Sequence, residues 1–160
     1  MNRVGIGYDV HRFARGRRLV VGGVEIEHEF GLEGHSDADV LSHAIADALL
    51  GAAGLPDIGH FFPPSDERLR GMCSLEILRK VAGMVRDVGG RMVNVDSTVV
   101  AEGPRMGPHI PAMKLAIARS LGVKEAAVGI KATTNEGLGF LGRCEGVAAL
   151  AVASVAFPEV

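Results

Sequence analysis

Between Asp37 and Ala53 the apolar residues Val40, Leu41, Ala44, Ile45, Ala48 and Leu49 recur at three- and four-residue spacing. That period lines them up on one face of a helix and is incompatible with a strand. Gly54 and Pro56 end it. Around this helix the rhythm changes. Val4 to Tyr8 reads as a strand, and Arg18–Val21 and Val24–His28 read as a hairpin across Gly22-Gly23. Residues 54–71, rich in Gly, Pro, Asp and Ser, read as a long loop. Leu75 to Val88 predicts a second helix closed by Gly89-Gly90, and Pro111 to Leu121 a third with Gly122 past its end. Val93–Ala101, Val128–Thr133 and Val147–Phe157 read as strands. Strands and helices interleaved in this way predict an α+β fold: one layer of mixed β-sheet with helices packed on one face.

The chain has 160 residues, 48% of them apolar and 22% charged, enough for one domain over residues 1–160 with a real core. Net charge is −2, and the aromatics are one Tyr and six Phe. A nucleic-acid partner held by phosphate charge or base stacking is therefore not expected. Cys73 and Cys144 form no metal-like pair and no disulfide framework. Residues 1–8 lack the apolar run of a signal peptide, and the longest weakly polar stretch, 146–157, is too short to span a bilayer. A soluble cytoplasmic protein without a membrane partner is the expectation.

The chemistry begins at the first strand. Asp9 and His11, two residues apart, project to one face of an extended chain. Taken alone, this pair is more often a turn cap beside a histidine than a ligand set. Gly34-His35-Ser36 then leads into the first helix, whose N-terminus suits an anion, and Ser36 with Asp39 resembles a capping box. Inside that helix Asp39, His43 and Asp47 form a polar stripe at four-residue spacing. A histidine flanked by acids reads as a ligand with an orienting partner. Asp9, His11 and His43 together would give three N/O ligands and leave a fourth position open. Further on, Thr133 and Thr134 offer hydroxyls to phosphate oxygens, and Glu136 a carboxylate to Mg²⁺. A second capping box from Thr133 to Glu136 competes with that reading, but Gly137, Gly139 and Gly142 make a poor helix. Arg143 could pair an anion.

Several long motifs, in order over nearly the whole chain, resemble the 2-C-methyl-D-erythritol 2,4-cyclodiphosphate synthase family. They are G-Y-D-V-H-R at 7–12, G-H-S-D-A-D-V-L-S-H-A at 34–44, D-A-L-L-G-A-A at 47–53, D-I-G at 57–59, N-V-D at 94–96, P-H-I at 108–110, K-A-T-T-N-E-G-L-G-F at 131–140 and G-R-C-E-G at 142–146. The resemblance implies a homotrimer around a central β-lined axis, with active sites at subunit interfaces. The implied reaction joins the 2-phosphate of 4-diphosphocytidyl-2-C-methyl-D-erythritol 2-phosphate to its β-phosphate and releases CMP, in the non-mevalonate isoprenoid pathway. It implies that Asp9, His11 and His43 hold Zn²⁺ and that Glu136 carries Mg²⁺ or Mn²⁺. His35 and Thr134 would stabilise the transition state, with Ser36 and Thr133 on phosphate. Asp57, Ile58 and Gly59 would hold the erythritol, under a flap that includes Phe61, Phe62, Ser65 and Asp66. Ala101, Pro104, Arg105, Met106 and Gly107 would form the cytidine pocket, and Asn135, Phe140 and Arg143 would also line the substrate site. Asp47 would orient a ligand histidine, and Arg143 and Glu145 would face a cavity on the trimer axis.

Pro64 stands where the family commonly has an acid, and Arg105 where lysine is frequent, with a different donor geometry. Some relatives carry a fused cytidylyltransferase, which 160 residues would not accommodate. Two other readings compete. A zinc phosphohydrolase would release free phosphate. A trimeric protein binding nucleotide or isoprenoid diphosphate would use zinc only structurally, which a cysteine-free, three-ligand set disfavours.

Overall fold

Strand β1 (Asn2–Arg15) extends well past the Val4–Tyr8 run, because it is paired along its whole length. Its first eleven positions align antiparallel with β7 (Gly146–Ala156), from Asn2 opposite Ala156 to Arg12 opposite Gly146. Its last three align with β4 (Phe30–Leu32), a short strand with no signature of its own. The computed structural model describes residues 1–159. Strand β5 (Arg91–Val100) pairs antiparallel with β7 and parallel with β6 (Val128–Thr133), giving a five-stranded mixed sheet of order β4-β1-β7-β5-β6. Strands β2 (Leu19–Val21) and β3 (Val24–Ile26) make the expected hairpin.

Helix α1 (Val40–Ala53) lies on β1 and β7, and the glycines of β1 explain how closely. A Cβ on Gly7 would sit 1.9 Å from the Ala44 carbonyl oxygen, and one on Gly5 2.1 Å from that of Ala48. Gly5, Gly7, Asp9 and His11 share one face of the strand. The two glycines let the helix backbone touch the strand, and the two polar residues continue that face beyond the contact.

Helix α3 (Ser74–Asp87) packs on α1 and on α4 (Ile110–Leu121). The core between helices and sheet is filled by Leu41, Ile45, Leu49, Leu78, Met113, Ile117 and the small inward residues of β7, Ala149, Ala151 and Ala153. At one end of the sheet's other face Leu141 packs on Val100 and Ala148, and farther along apolar side chains are exposed. Val4 and Ile6 are 67% and 73% exposed, and Tyr8, Leu150 and Val152 are also exposed. Among the described residues, no helix is long and apolar enough to cross a membrane.

The region expected to be one long loop holds a four-residue helix, α2 (Ile58–Phe61), capped by Asp57, and a 3-10 turn at Glu67–Leu69 capped by Asp66. Another four-residue helix, α5 (Gly139–Gly142), forms where the glycines argued against one. Helix α1 also starts later than Asp37. Its N-cap is Asp39, which accepts from the Ser42 amide, so the Ser36–Asp39 capping box does not form.

Candidate active site

Asp9, His11 and His43 meet where β1 emerges from under α1. Asp9 Oδ2 lies 2.9 Å from His11 Nε2 and 3.0 Å from His43 Nδ1, and the two nitrogens are 3.4 Å apart. Four tetrahedral ligands about 2.0–2.1 Å from a zinc-sized ion are separated by about 3.3 Å, so this triangle is nearly the face of such a site. The donor set fits a divalent metal, and the far nitrogens are addressed as a metal site needs. His11 Nδ1 donates to the Glu33 carbonyl at 2.6 Å, leaving Nε2 free to coordinate. Burial opposes charge on Asp9 and on His11. Their mutual hydrogen bond and attraction outweigh it, holding the Asp9 carboxyl far below the usual carboxylate range and raising His11 above 6.5.

Beside this triangle is a cavity of about 200 Å³ lined by His11, His35, Ser36, His43, Ile58, Gly59, Phe62, Pro64, Leu69, Met72 and Ile77. The walls from α2 and the following loop are apolar, and the polar groups converge at the metal end. The 34–37 loop is held by contacts that local sequence patterns do not reveal. The Arg17 guanidinium donates to the carbonyls of Gly34 and Ser36, both at 2.8 Å. His35 touches the flap twice: its carbonyl accepts from Gly71 N, and its Nε2 donates to the Asp66 carbonyl at 3.0 Å. The Asp66 carboxylate itself is turned to Arg68, whose hydrogen bonds hold its pKa down to about 2. Pro64, in the position of the missing acid, lines the cavity.

Two members of the polar stripe have other partners. Asp39 is wholly buried and accepts from the amides of Gly22, Gly23 and Ser42 and from the Ser42 hydroxyl, so it ties the β2–β3 hairpin to α1. Burial, and secondarily the charge of Asp37, push its carboxyl up. Asp47 accepts from the Ile58 amide at 2.7 Å and so positions α2 rather than bonding to His43. The hydroxyls at His43 Nε2 are Ser74 at 2.9 Å and Ser36 at 3.2 Å.

The other predicted residues lie elsewhere on the same end of the sheet. Thr133 pairs with Val100, Val100 with Ala148 and Ala148 with Val10. Three strand spacings separate Thr133 from β1, about 14 Å. Thr133, Thr134 and Glu136 are exposed there, with Glu136 in the left-handed region at φ 53°. No helix follows Thr133 directly; instead Thr134 Oγ1 accepts from the Glu136 amide at 3.3 Å. Glu102, which the motifs did not single out, organises this loop by accepting from Asn135 N at 2.8 Å and Gly137 N at 3.3 Å. The segment 101–107 runs alongside: Ala101 N donates to the Thr133 carbonyl, Arg105 is exposed, and the Met106 side chain belongs to the core. Phe140 lines a second cavity, of about 750 Å³, with Val10, His11, Arg12, Phe13 and Glu145, and Arg143 pairs with Glu145 at 2.7 Å.

The YgbB family model matches residues 2–156. The chain belongs to the YgbB family. A relative from Akkermansia muciniphila, named 2-C-methyl-D-erythritol 2,4-cyclodiphosphate synthase, is 59% identical over 156 residues, 97% of this chain and 92% of its own. One from Symbiobacterium thermophilum with the same name is 60% identical over 153 residues, 96% and 98% of the two chains. Among solved structures, the bifunctional IspDF of Campylobacter jejuni superposes with a TM-score of 0.95 at 40% identity over 99% of this chain, which spans 43% of that longer one. A CDP complex of Plasmodium falciparum IspF gives 0.85 at 28% identity, covering 99% and 97%. These solved structures share the α+β architecture described above.

Proposed function

We propose that this YgbB-family chain is a 2-C-methyl-D-erythritol 2,4-cyclodiphosphate synthase acting in isoprenoid precursor synthesis in the cytoplasm, with one domain over residues 1–160 carrying the activity. The relatives' shared name at 59–60% identity supports the reaction class, a CMP-releasing cyclisation and so a phosphorus–oxygen lyase. The observation that carries the assignment to this site is the Asp9–His11–His43 triangle opening into a largely apolar cavity of about 200 Å³. The binding-protein alternative has no support among those relatives.

In the reaction an oxygen of the 2-phosphate bonds to the β-phosphorus while the bond from that phosphorus to the CMP oxygen breaks. Asp9, His11 and His43 would hold Zn²⁺, and Glu136 Mg²⁺ or Mn²⁺. Bound there, such ions neutralise and polarise phosphate oxygens. The protein contributes position rather than a nucleophile. Ser36 and Thr133 present hydroxyls to phosphate, and His35 and Thr134 stabilise the transition state. Asp57, Ile58 and Gly59, with Phe62, Ser65 and Asp66 of the flap, enclose the erythritol. The Ala101, Pro104, Arg105, Met106 and Gly107 backbone, with Asn135, receives the cytidine.

Within one chain, the strand that carries Asp9 and His11 and the strand that leads into the Thr133–Glu136 loop are three places apart in the sheet. A homotrimer that places the two halves of neighbouring protomers together resolves this. The exposed Val4, Ile6, Tyr8, Leu150 and Val152 give it an apolar sheet face to bury. Arg143 and Glu145 would then face the axis. Phosphorus NMR of the purified protein with the cytidine substrate and Mg²⁺ tests the reading. CMP and a cyclic diphosphate should appear, and a strong chelator should stop them. Free phosphate would indicate a hydrolase instead.

A further inference from the structure

The metal triangle is completed by a chain of hydrogen bonds from a different helix. His43 Nε2 lies 2.9 Å from Ser74 Oγ, and Ser74 Oγ donates to Asp37 Oδ1. Asp37 Oδ2 also accepts from the Ser74 amide at 2.9 Å. Helix α3 lacks a capping side chain of its own at Cys73, so Asp37, 37 residues away in sequence, caps it. The proton positions follow. A carboxylate only accepts, so the single Ser74 hydroxyl proton points to Asp37. Ser74 Oγ then presents lone pairs to His43, and Nε2 must carry a hydrogen to donate to them. That places the free lone pair of the neutral ring on Nδ1, the nitrogen that faces Asp9 and His11.

We propose that Asp37 and Ser74 are positioning residues for the metal site: the Asp37–Ser74–His43 relay selects the His43 tautomer that can coordinate and fixes its ring. Ser74 is fully buried and makes no contact with substrate in this role. It is the first residue of α3, so the relay also ties the start of that helix to the triangle. The inference rests on the reading of the triangle as a metal site.

The test is zinc affinity, measured on the full chain by competition with a chromophoric chelator. Loss of such an orienting partner weakens metal binding on the order of 10- to 100-fold. Ser74→Ala should show that loss and Ser74→Thr should restore most of it. Asp37→Asn should weaken binding in the wild-type background and add little in the Ser74→Ala background, because the two act in series. Zinc affinity within twofold of wild type in both single variants would overturn the relay. Wild-type protein that takes up no zinc would overturn the metal reading beneath it. Should the variants fail to fold, ¹⁵N NMR of the zinc-loaded wild-type protein decides the matter. Metal on His43 Nδ1 with hydrogen on Nε2 is expected, and the reverse would overturn the proposal.

Discussion

At the scale of single residues, the Asp9–His11 pair predicts opposite pH trends with and without metal. Asp9 is depressed from 3.8, so its contribution to stability is present above about pH 4 and lost as pH falls through its low folded value. His11 is raised from 6.5, so its contribution is present below about pH 6.5 and lost as pH rises through its raised value. Metal-free protein therefore gains most from the pair between about pH 4 and 6.5, which urea denaturation of chelator-treated protein against pH should show. A metal needs both imidazoles neutral, so zinc affinity should fall on acidification from pH 8 to 6. His43→Ala should abolish turnover and zinc uptake while the protein stays folded, since no core packing depends on that partly exposed ring. Asp39→Ala differs in kind. It strands the Gly22, Gly23 and Ser42 amides and should lower stability by about 2–4 kcal/mol, measured by denaturant titration.

At the scale of elements, the decisive contact is α1 against β1. Gly7 and Gly5 bring the helix backbone onto the strand, and that closeness lets His43 of the helix reach Asp9 and His11 of the strand. The Cβ of Gly7→Ala would strike a backbone carbonyl rather than a side chain that can turn away. The helix must lift, and the expected cost is about 3 kcal/mol. Zinc affinity should fall with stability, because the triangle is spread by the same movement. A variant as stable as wild type, with unchanged zinc affinity, would contradict this account. The Glu102 carboxylate plays the corresponding part in the 133–137 loop, holding the amides that shape the Glu136 turn.

At the scale of the whole molecule, the exposed apolar residues of the sheet and the proposed division of the site between protomers make one prediction together. Ile6→Lys places a charge on the exposed face without touching the core, so it should leave a folded monomer by sedimentation and abolish turnover. Glu136→Gln should impair turnover more than zinc content. Mixing unfolded His43→Ala and Glu136→Gln chains and refolding them together should recover activity that neither has alone. Some interfaces would then join an intact metal triangle to an intact Glu136 loop. No recovery from mixed oligomers would place both halves of each working site within one chain.

Much of this was legible from residue order because it depends on short-range periodicity. The three long helices, the hairpin and the β6 and β7 strands follow from patterns that a few residues carry, and the ligand types follow from motifs whose chemistry is written in their side chains. What escaped depends on pairing and packing between distant segments. The polar second half of β1 and the Phe30–Leu32 strand exist because each has a neighbour to bond, not because of composition. Asp39 looked like part of a ligand stripe, yet the hairpin it meets turned it into a buried tie. Asp47 stood one turn from His43, but the Ile58 amide was nearer. Ser74, Asp37, Arg17 and Glu102 carry no local signal, since a hydrogen bond across 31 or 37 residues has no spacing to recognise. The sequence thus determined which chemical groups are available and which elements bear them. Only the tertiary structure decided which nitrogen of His43 faces Asp9 and His11, and that this triangle's strand stands three places from the strand that leads into the Thr133–Glu136 loop.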